Sequence, residues 1–187
     1  LAATGKRLAE IGIISADLAR DAVTDCLDLV ALGTVADLVP LDFNNRILVA
    51  EGLRRMRAGR TRPGIEALFR VAGRELQLAR SADMGFAIAP RLNAAGRLED
   101  MTIGINCLLA SDAATAQALA TRLDGLNLER RALQQQMQAE AEALLDGLGA
   151  GAGTAEPAIC LFDERWHPGI VGLVANRLRE ITGCPAI

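Results

Sequence analysis

At 187 residues the chain is long enough for one ordinary domain or two small lobes, and its 51% hydrophobic content marks a folded, core-forming protein. Its longest apolar runs fall short of a bilayer span, so no transmembrane helix is expected, and no secretory leader is expected from the opening LAATGKRLAEIG. A net charge of −3 argues against a generic nucleic-acid binder, and the absence of Tyr with a single Trp leaves little of the base-stacking surface that many single-strand binders use.

The first residue, Leu, and the ending GCPAI suggest a piece of something longer. LAATGKRLAEIGI carries apolar residues at helical spacing. After a break near Ser15, DLARDAVTDCLDLVAL does the same, with a stop expected near Gly33. Asp37 follows, inside ALGTVADLVPLD, with apolar residues on both sides. A carboxylate in such surroundings is strongly desolvated unless something positive meets it. A divalent metal, an arginine or a cap onto backbone N–H groups are all open as partners.

Asp42 and Asn44 are candidate caps for a helix from about Asn45, with Val49, Gly52, Leu53 and Met56 as its apolar stripe. Arg46, Arg54 and Arg57 share a neighbouring face. Pro63 is placed to start a short helix through IEALFRVAG, and Ser81 to cap ADMGFAIA, which is expected to end before Pro90. PRLNAAGR then reads as a loop or a kinked helix start. Arg91 and Arg97 flank Asn93 and a small-residue AAG, an arrangement in which a phosphate can come close to the backbone. The alternative pairs Arg97 with Glu99 or Asp100 and leaves Arg91 solvated.

Past a helix ending near Leu109, Ser111 and Asp112 offer caps for a very long one from about Ala113 to Leu148. Leu119, Leu123, Leu126, Leu133, Met137 and Leu144 lie along it near heptad spacing. At ~1.5 Å per residue it reaches roughly 50 Å, a length suited to bridging two lobes or to a coiled coil. GLGAGAGTAEP breaks it as the one obvious linker. AICLFD reads as a buried strand and GIVGLVANRLREI as the helix after it. His167, the single histidine, stands at that strand-to-helix turn, where backbone N–H groups and the helix dipole face anions. A structural hydrogen bond is its other reading.

The four cysteines, with no CxxC pair, read as buried thiols of a reducing compartment rather than a zinc site. Charge is unevenly spread: residues 44–97 hold eleven basic side chains, all of them Arg, against four acidic ones. The planar guanidinium fork suits phosphate oxygens, although a solvated arginine face is the plainer alternative.

LDLVALGTVADLVPLDFNNRILVAEGLRRMRAG, RPGIEALFRVAG, GFAIAPRLNAAGRLEDM, LNLERRALQQQM and WHPGIVGLVANRL, in this order, resemble the RecJ family of single-stranded-DNA-specific 5′→3′ exonucleases, within the DHH phosphoesterase superfamily. The resemblance runs from about Cys26 to the C-terminus. It implies an α/β fold for the family. This chain is then a mostly α-helical part of it, with a long bridging helix and the start of a second α/β domain. Residues 1–111 would be the C-terminal part of the catalytic domain, 112–148 the connecting helix, and 149–187 a linker and the incomplete DHH-associated domain. GTVAD matches the last motif of the family's catalytic domain, whose aspartate, here Asp37, helps ligate a catalytic Mn²⁺ or Mg²⁺.

By the same resemblance, Arg91, Asn93 and Arg97 line a DNA cleft near the scissile or terminal phosphate, and His167 reaches in from the other lobe. Arg46, Arg54 and Arg57 become a secondary nucleic-acid track or a contact with a missing domain. The implied setting is DNA repair and recombination in the bacterial cytoplasm, with single-stranded DNA as partner and no membrane. The family's Asp-x-Asp and Asp-His-His motifs are absent, as is its late glycine-rich motif. Two-metal hydrolysis clamps both the attacking and the leaving oxygen, so the chain alone is expected to be inactive and to bind metal poorly. An oligonucleotide or cyclic-dinucleotide phosphodiesterase of the same superfamily, and a non-catalytic helical interaction module, are the alternatives.

Overall fold

Helices α1 (Ala2–Glu10) and α2 (Ala16–Thr24) form a hairpin, with Ser15 capping α2 through the Leu18 amide. The computed structural model describes residues 2–147 and 158–187. The expected single helix after Ser15 is two: the Thr24 hydroxyl turns back onto the carbonyls of Arg20 and Asp21, and α3 (Leu27–Ala36) starts afresh beyond Asp25. Nor does α3 stop at Gly33. It ends three residues later, where Leu38 takes a left-handed φ of 53°. Its amide bonds back to Val35 O (3.3 Å) and the Val39 amide to Thr34 O (3.1 Å), the paired pattern that closes a helix, with Pro40 preventing any continuation.

Helix α4 (Phe43–Arg57) begins two residues earlier than expected because Asp42, one of the two proposed caps, accepts from the Asn45 amide at 2.8 Å. The α4 stripe of Val49, Leu53 and Met56 packs on α3, and Gly52 allows the crossing: a Cβ there would collide with Leu27 O and Ala31. Helix α5 (Pro63–Val71) carries Pro63 in its first turn and buries Ile65, Leu68 and Phe69 almost completely. Each such side chain stabilises the fold by ~1.5–3 kcal/mol.

The next stretch departs from expectation. Short α6 (Ser81–Asp83), a π turn (Met84–Ile88) and α7 (Ala89–Leu98) follow one another directly, so the helix passes through Pro90 instead of ending before it. Proline brings no N–H, and its ring crowds the preceding turn. The wider π turn, closed by the Ala89 amide on Met84 O, makes room for it. Ser81 is the first helical residue rather than a cap; the Arg80 amide donates to the Asp83 carboxylate at 2.9 Å.

Helix α8 (Thr102–Leu109) leads to α9 (Ala113–Gly147), 35 residues long and capped by Asp112 through the Thr115 amide. The linker expected at GLGAGAGTAEP falls, from residue 148 to 157, outside the described residues. Beyond it, the expected strand AICLFD is reduced to one parallel bridge, Ile159 with Ala186, on either side of α10 (Pro168–Thr182). A strand pair needs further strands or a covering face to extend, and these residues supply neither.

Among the described residues two apolar clusters result. The larger gathers α3 to α8 and the first half of α9, including Met56, Phe69, Met84, Ile88, Leu123 and Leu126; the smaller holds Met137 and Ala141 against Ile170, Val174 and Leu178. Helix α9 therefore bridges two packed bodies rather than forming a coiled coil. Leu144, expected in its stripe, is exposed, and Ala141 and Leu145 are buried instead. Of the cysteines only Cys107 is buried, where desolvation pushes its pKa up to about 11; Cys160 is exposed. No described helix is long and apolar enough to cross a membrane.

Candidate functional site

Asp37 is the C-cap of α3, so the strained Leu38 turn directly after it sets where its carboxylate points. It is exposed, not buried as expected, because its apolar neighbours face outward too: Leu38 is 89% and Phe43 78% exposed. Among the described residues the Asp37 carboxylate has neither an ion pair nor a hydrogen bond, so neither an arginine nor backbone capping satisfies it. Asp37 and Asn93 line one groove of about 410 Å³, with Leu32, Leu92, Met101 and Ile105 as apolar walls. Beside it, Val35, Leu38, Val39, Leu41 and Phe86 line a second apolar groove.

The arginines of PRLNAAGR part company. Arg91 turns away from Asn93 and pairs with Asp124 of α9 (Nε to Oδ1, 2.8 Å), while its Nη1 donates to Ala87 O in the π turn (2.7 Å). It is neither solvated nor free to hold a ligand without giving up that pair. Arg97 pairs with neither Glu99 nor Asp100. Its Nη1 donates to Gly169 O at 3.0 Å, and Glu99 is held by Arg122. Gly169 touches the Arg97 backbone so closely that a Cβ there would collide with Arg97 O, which seats the start of α10 on the end of α7.

His167 caps α10: its Nδ1 accepts the Gly169 amide at 3.1 Å. In the neutral ring the proton then sits on Nε2, which remains a donor. Four of the expected residues are thus arranged in two pairs, Asp37 with Asn93 in the groove and Arg97 with His167 through Gly169. Asn93 and Arg97, four residues apart on α7, link the pairs along one helix face.

The α4 arginines are occupied by the protein itself. Arg54 grips Glu51 (Nε to Oε2, 2.7 Å), Arg57 Nε donates to Ala79 O (2.8 Å) and Arg46 Nε to Leu41 O (2.8 Å). Glu51 is held below the usual carboxylate range by its hydrogen bond from Arg54, so the Arg54 charge is largely matched locally.

Sequence reading missed Asp28, the carboxylate that is buried. It is 1% exposed and accepts from Thr61 Oγ1 (2.9 Å), the Arg62 amide (3.0 Å) and the Leu29 amide (2.7 Å), tying α3 to the loop before α5. Also missed were Asn127 and Arg130. The signal was in the pattern: Ala116, Ala120, Leu123, Asn127, Arg130, Gln134, Met137 and Ala141 follow helical spacing, and three polar residues interrupt an otherwise apolar stripe.

Among the described residues no three His, Cys, Asp or Glu side chains cluster as metal ligands. A lone carboxylate does not make a divalent-cation centre, and the residues present do not fit one by themselves.

No protein-family model matches the chain. It is 48% identical over 165 residues to the single-stranded-DNA-specific exonuclease RecJ of Escherichia coli, an alignment covering 88% of this chain and 29% of that protein. The Bacillus subtilis protein of the same name is 36% identical over 185 residues, covering 97% of this chain and 23% of the relative. Among solved structures, an exonuclease RecJ bound to manganese superposes with a TM-score of 0.77 at 36% identity, over 96% of this chain and 42% of its own. RecJ of Thermus thermophilus in complex with Mg²⁺ gives 0.74 at 37% identity, over 87% and 25%. The chain spans about a third or less of the curated relatives it matches.

Proposed function

The chain belongs to the RecJ family of the DHH superfamily, and from that membership we propose that it forms part of a metal-dependent exonuclease that hydrolyses phosphodiester bonds of single-stranded DNA, 5′→3′, in bacterial DNA repair and recombination. On this reading the site is cytoplasmic, residues 1–111 close the catalytic domain, α9 connects, and the segment from residue 158 opens the second domain. The observation that carries it is the groove shared by Asp37 and Asn93, with the Asp37 carboxylate unpartnered at its rim.

In this proposal Asp37 is one donor to a Mn²⁺ or Mg²⁺ centre whose other ligands lie outside these 187 residues. The ion, when bound, would polarise the phosphate and make the attacking water more acidic. The chain's own residues do other work. The Asn93 amide orients a phosphate oxygen in the groove, Arg97 one turn away offsets its charge, and the apolar walls limit water around both.

The test has two parts. Incubated with Mn²⁺ and single-stranded DNA, the 187-residue chain is expected to release no nucleotides; turnover would show that a complete metal centre exists within it. In a protein carrying this chain together with the missing motifs, Asp37→Asn is expected to lower kcat by about 10²–10³-fold with an unchanged circular dichroism spectrum. Full activity in that variant removes Asp37 from the centre.

A further inference from the structure

Helix α10 is capped by a group that titrates. Pro168 takes its first position and brings no N–H, while the Ile170 and Val171 amides bond to His167 O (2.9 and 3.2 Å). The Gly169 amide is then the first-turn donor that needs a side-chain acceptor, and His167 Nδ1 supplies it at 3.1 Å. The usual caps, serine, threonine, asparagine and aspartate, keep their acceptor through the neutral range. An imidazole does not: with a second ring proton both of its nitrogens are donors.

Gly169 also carries the contact between α10 and α7. Its carbonyl accepts from Arg97 Nη1 (3.0 Å), and it lies so close to Arg97 O that no Cβ fits between them. One glycine therefore joins the cap to the seat of the helix. The surroundings disfavour an imidazolium. The Arg97 guanidinium approaches from α7, and α10 adds the positive end of its own dipole. On α9 the guanidinium of Arg130 lies within the influence of Arg97, which with burial and Arg131 pushes its pKa down. The carboxylates on neighbouring elements are engaged elsewhere: Asp163 by Arg165, and Glu140 by Gln136 and Trp166. Arg177, Arg179 and Glu180 stand in the second half of α10, bonded among themselves and to Asn176. Among the described residues no carboxylate, Glu164 included, pairs with His167.

We propose that His167 is a pH-sensitive latch on the second body. With a neutral ring it caps α10 and keeps Gly169 seated against Arg97. A proton on Nδ1 sets a donor against the Gly169 N–H and places a third positive group beside Arg97 and the helix dipole, so the first turn lifts from α7. The fold favours the neutral ring, so the latch is closed at higher pH. It opens as pH falls through and below the imidazole range, about 6.5 for a free side chain. Glu140 and Asp163 are held below the ordinary carboxylate range and stay ionised there. Trp166 consequently remains bonded to α9, and the movement pivots on it. Neither Asp37 nor a phosphate takes part, so the latch stands apart from the nuclease reading.

The test is amide hydrogen exchange of the 187-residue chain followed by NMR, each rate being divided by the intrinsic rate at the same pH. Between about pH 7.5 and 5, protection of the Gly169, Ile170 and Val171 amides is expected to fall together by about fivefold, the effect of losing one cap. His167 is the single histidine, so its replacement removes the imidazole titration altogether. In His167→Asn the cap keeps an acceptor that does not titrate, and protection is expected to hold across the window. Unchanged protection in the parent chain, or an equal fall in His167→Asn, overturns the latch. A fall at Gly169 alone overturns it too, since the cap would then open without releasing the turn. Should His167→Asn not fold, His167→Ser, another cap that does not titrate, decides in its place.

Discussion

Asp28 and Asp37 stand nine residues apart on the same helix and have opposite fates. Asp28 faces the loop before α5, where three N–H and O–H donors converge, and burial is offset by those bonds. Asp37 leaves the helix at its C-cap and stays in solvent, with its carboxylate uncommitted. The residue that aims it is Leu38, whose φ of 53° suits glycine better and whose side chain contributes almost no packing at 89% exposure. Such strain persists where the surroundings demand it, often near functional groups. Leu38→Gly is therefore expected to raise stability by about 0.5–1 kcal/mol in urea denaturation, the relief of left-handed strain exceeding the extra chain entropy of glycine. A loss of stability would mean that Leu38 makes packing contacts its exposure does not reveal.

At the scale of elements, the π turn before Pro90 and the polar middle of α9 both break a local rule, and each adjoins the candidate site. Arg91 donates both to Ala87 O in the π turn and to Asp124, so the arginine ties that turn to α9. A second tie fastens the segment before α10 to α9: the indole of Trp166, the single tryptophan, donates to Glu140 at 2.9 Å. Hydrogen bonds from Gln136 first and Trp166 second hold the Glu140 carboxyl below its ordinary 4.5. A carboxylate depressed in the fold stabilises it above the unfolded-state value and loses that effect as pH falls through the folded-state value. Trp166 emission is accordingly expected to titrate with a midpoint below 4.5, and Glu140→Gln to flatten that curve. A midpoint above 4.5 would contradict the pairing. Asp163 is held lower still, at about 2, by hydrogen bonds from Arg165, and titrates separately.

For the whole molecule the decisive feature is two unequal cores on one long helix. Among the described residues the smaller contains five buried side chains and shares only Leu98 with the larger, too little apolar burial to be stable alone. Its hold on the rest comes from α9, the Gly169–Arg97 contact and the bonds of Trp166 and Arg97. Unfolding is expected to be non-coincident: in urea the Trp166 fluorescence transition comes at lower denaturant than the loss of helical ellipticity. Superimposed transitions would show that the two bodies unfold as one.

Period and punctuation in the sequence were enough to place most helices, because apolar spacing, Asp42, Pro63 and Asp112 act within a few residues of one another. The motif order from Cys26 onward was enough to point to the RecJ family, and the long bridging helix was legible from its spacing and length. Three things were decided only by tertiary structure. The helix runs through Pro90 because packing against α3 and α5 holds a π turn that proline alone would not favour. Which aspartate is buried depended on where the Thr61–Arg62 loop folds back, some thirty residues away. Whether an arginine is free for a ligand depended on carboxylates and carbonyls from other helices, so Arg91 was claimed by Asp124 while Arg130 was left with none. Local propensity acts through neighbouring residues in the chain, but burial and charge pairing act through space, and only the folded chain brings those partners together.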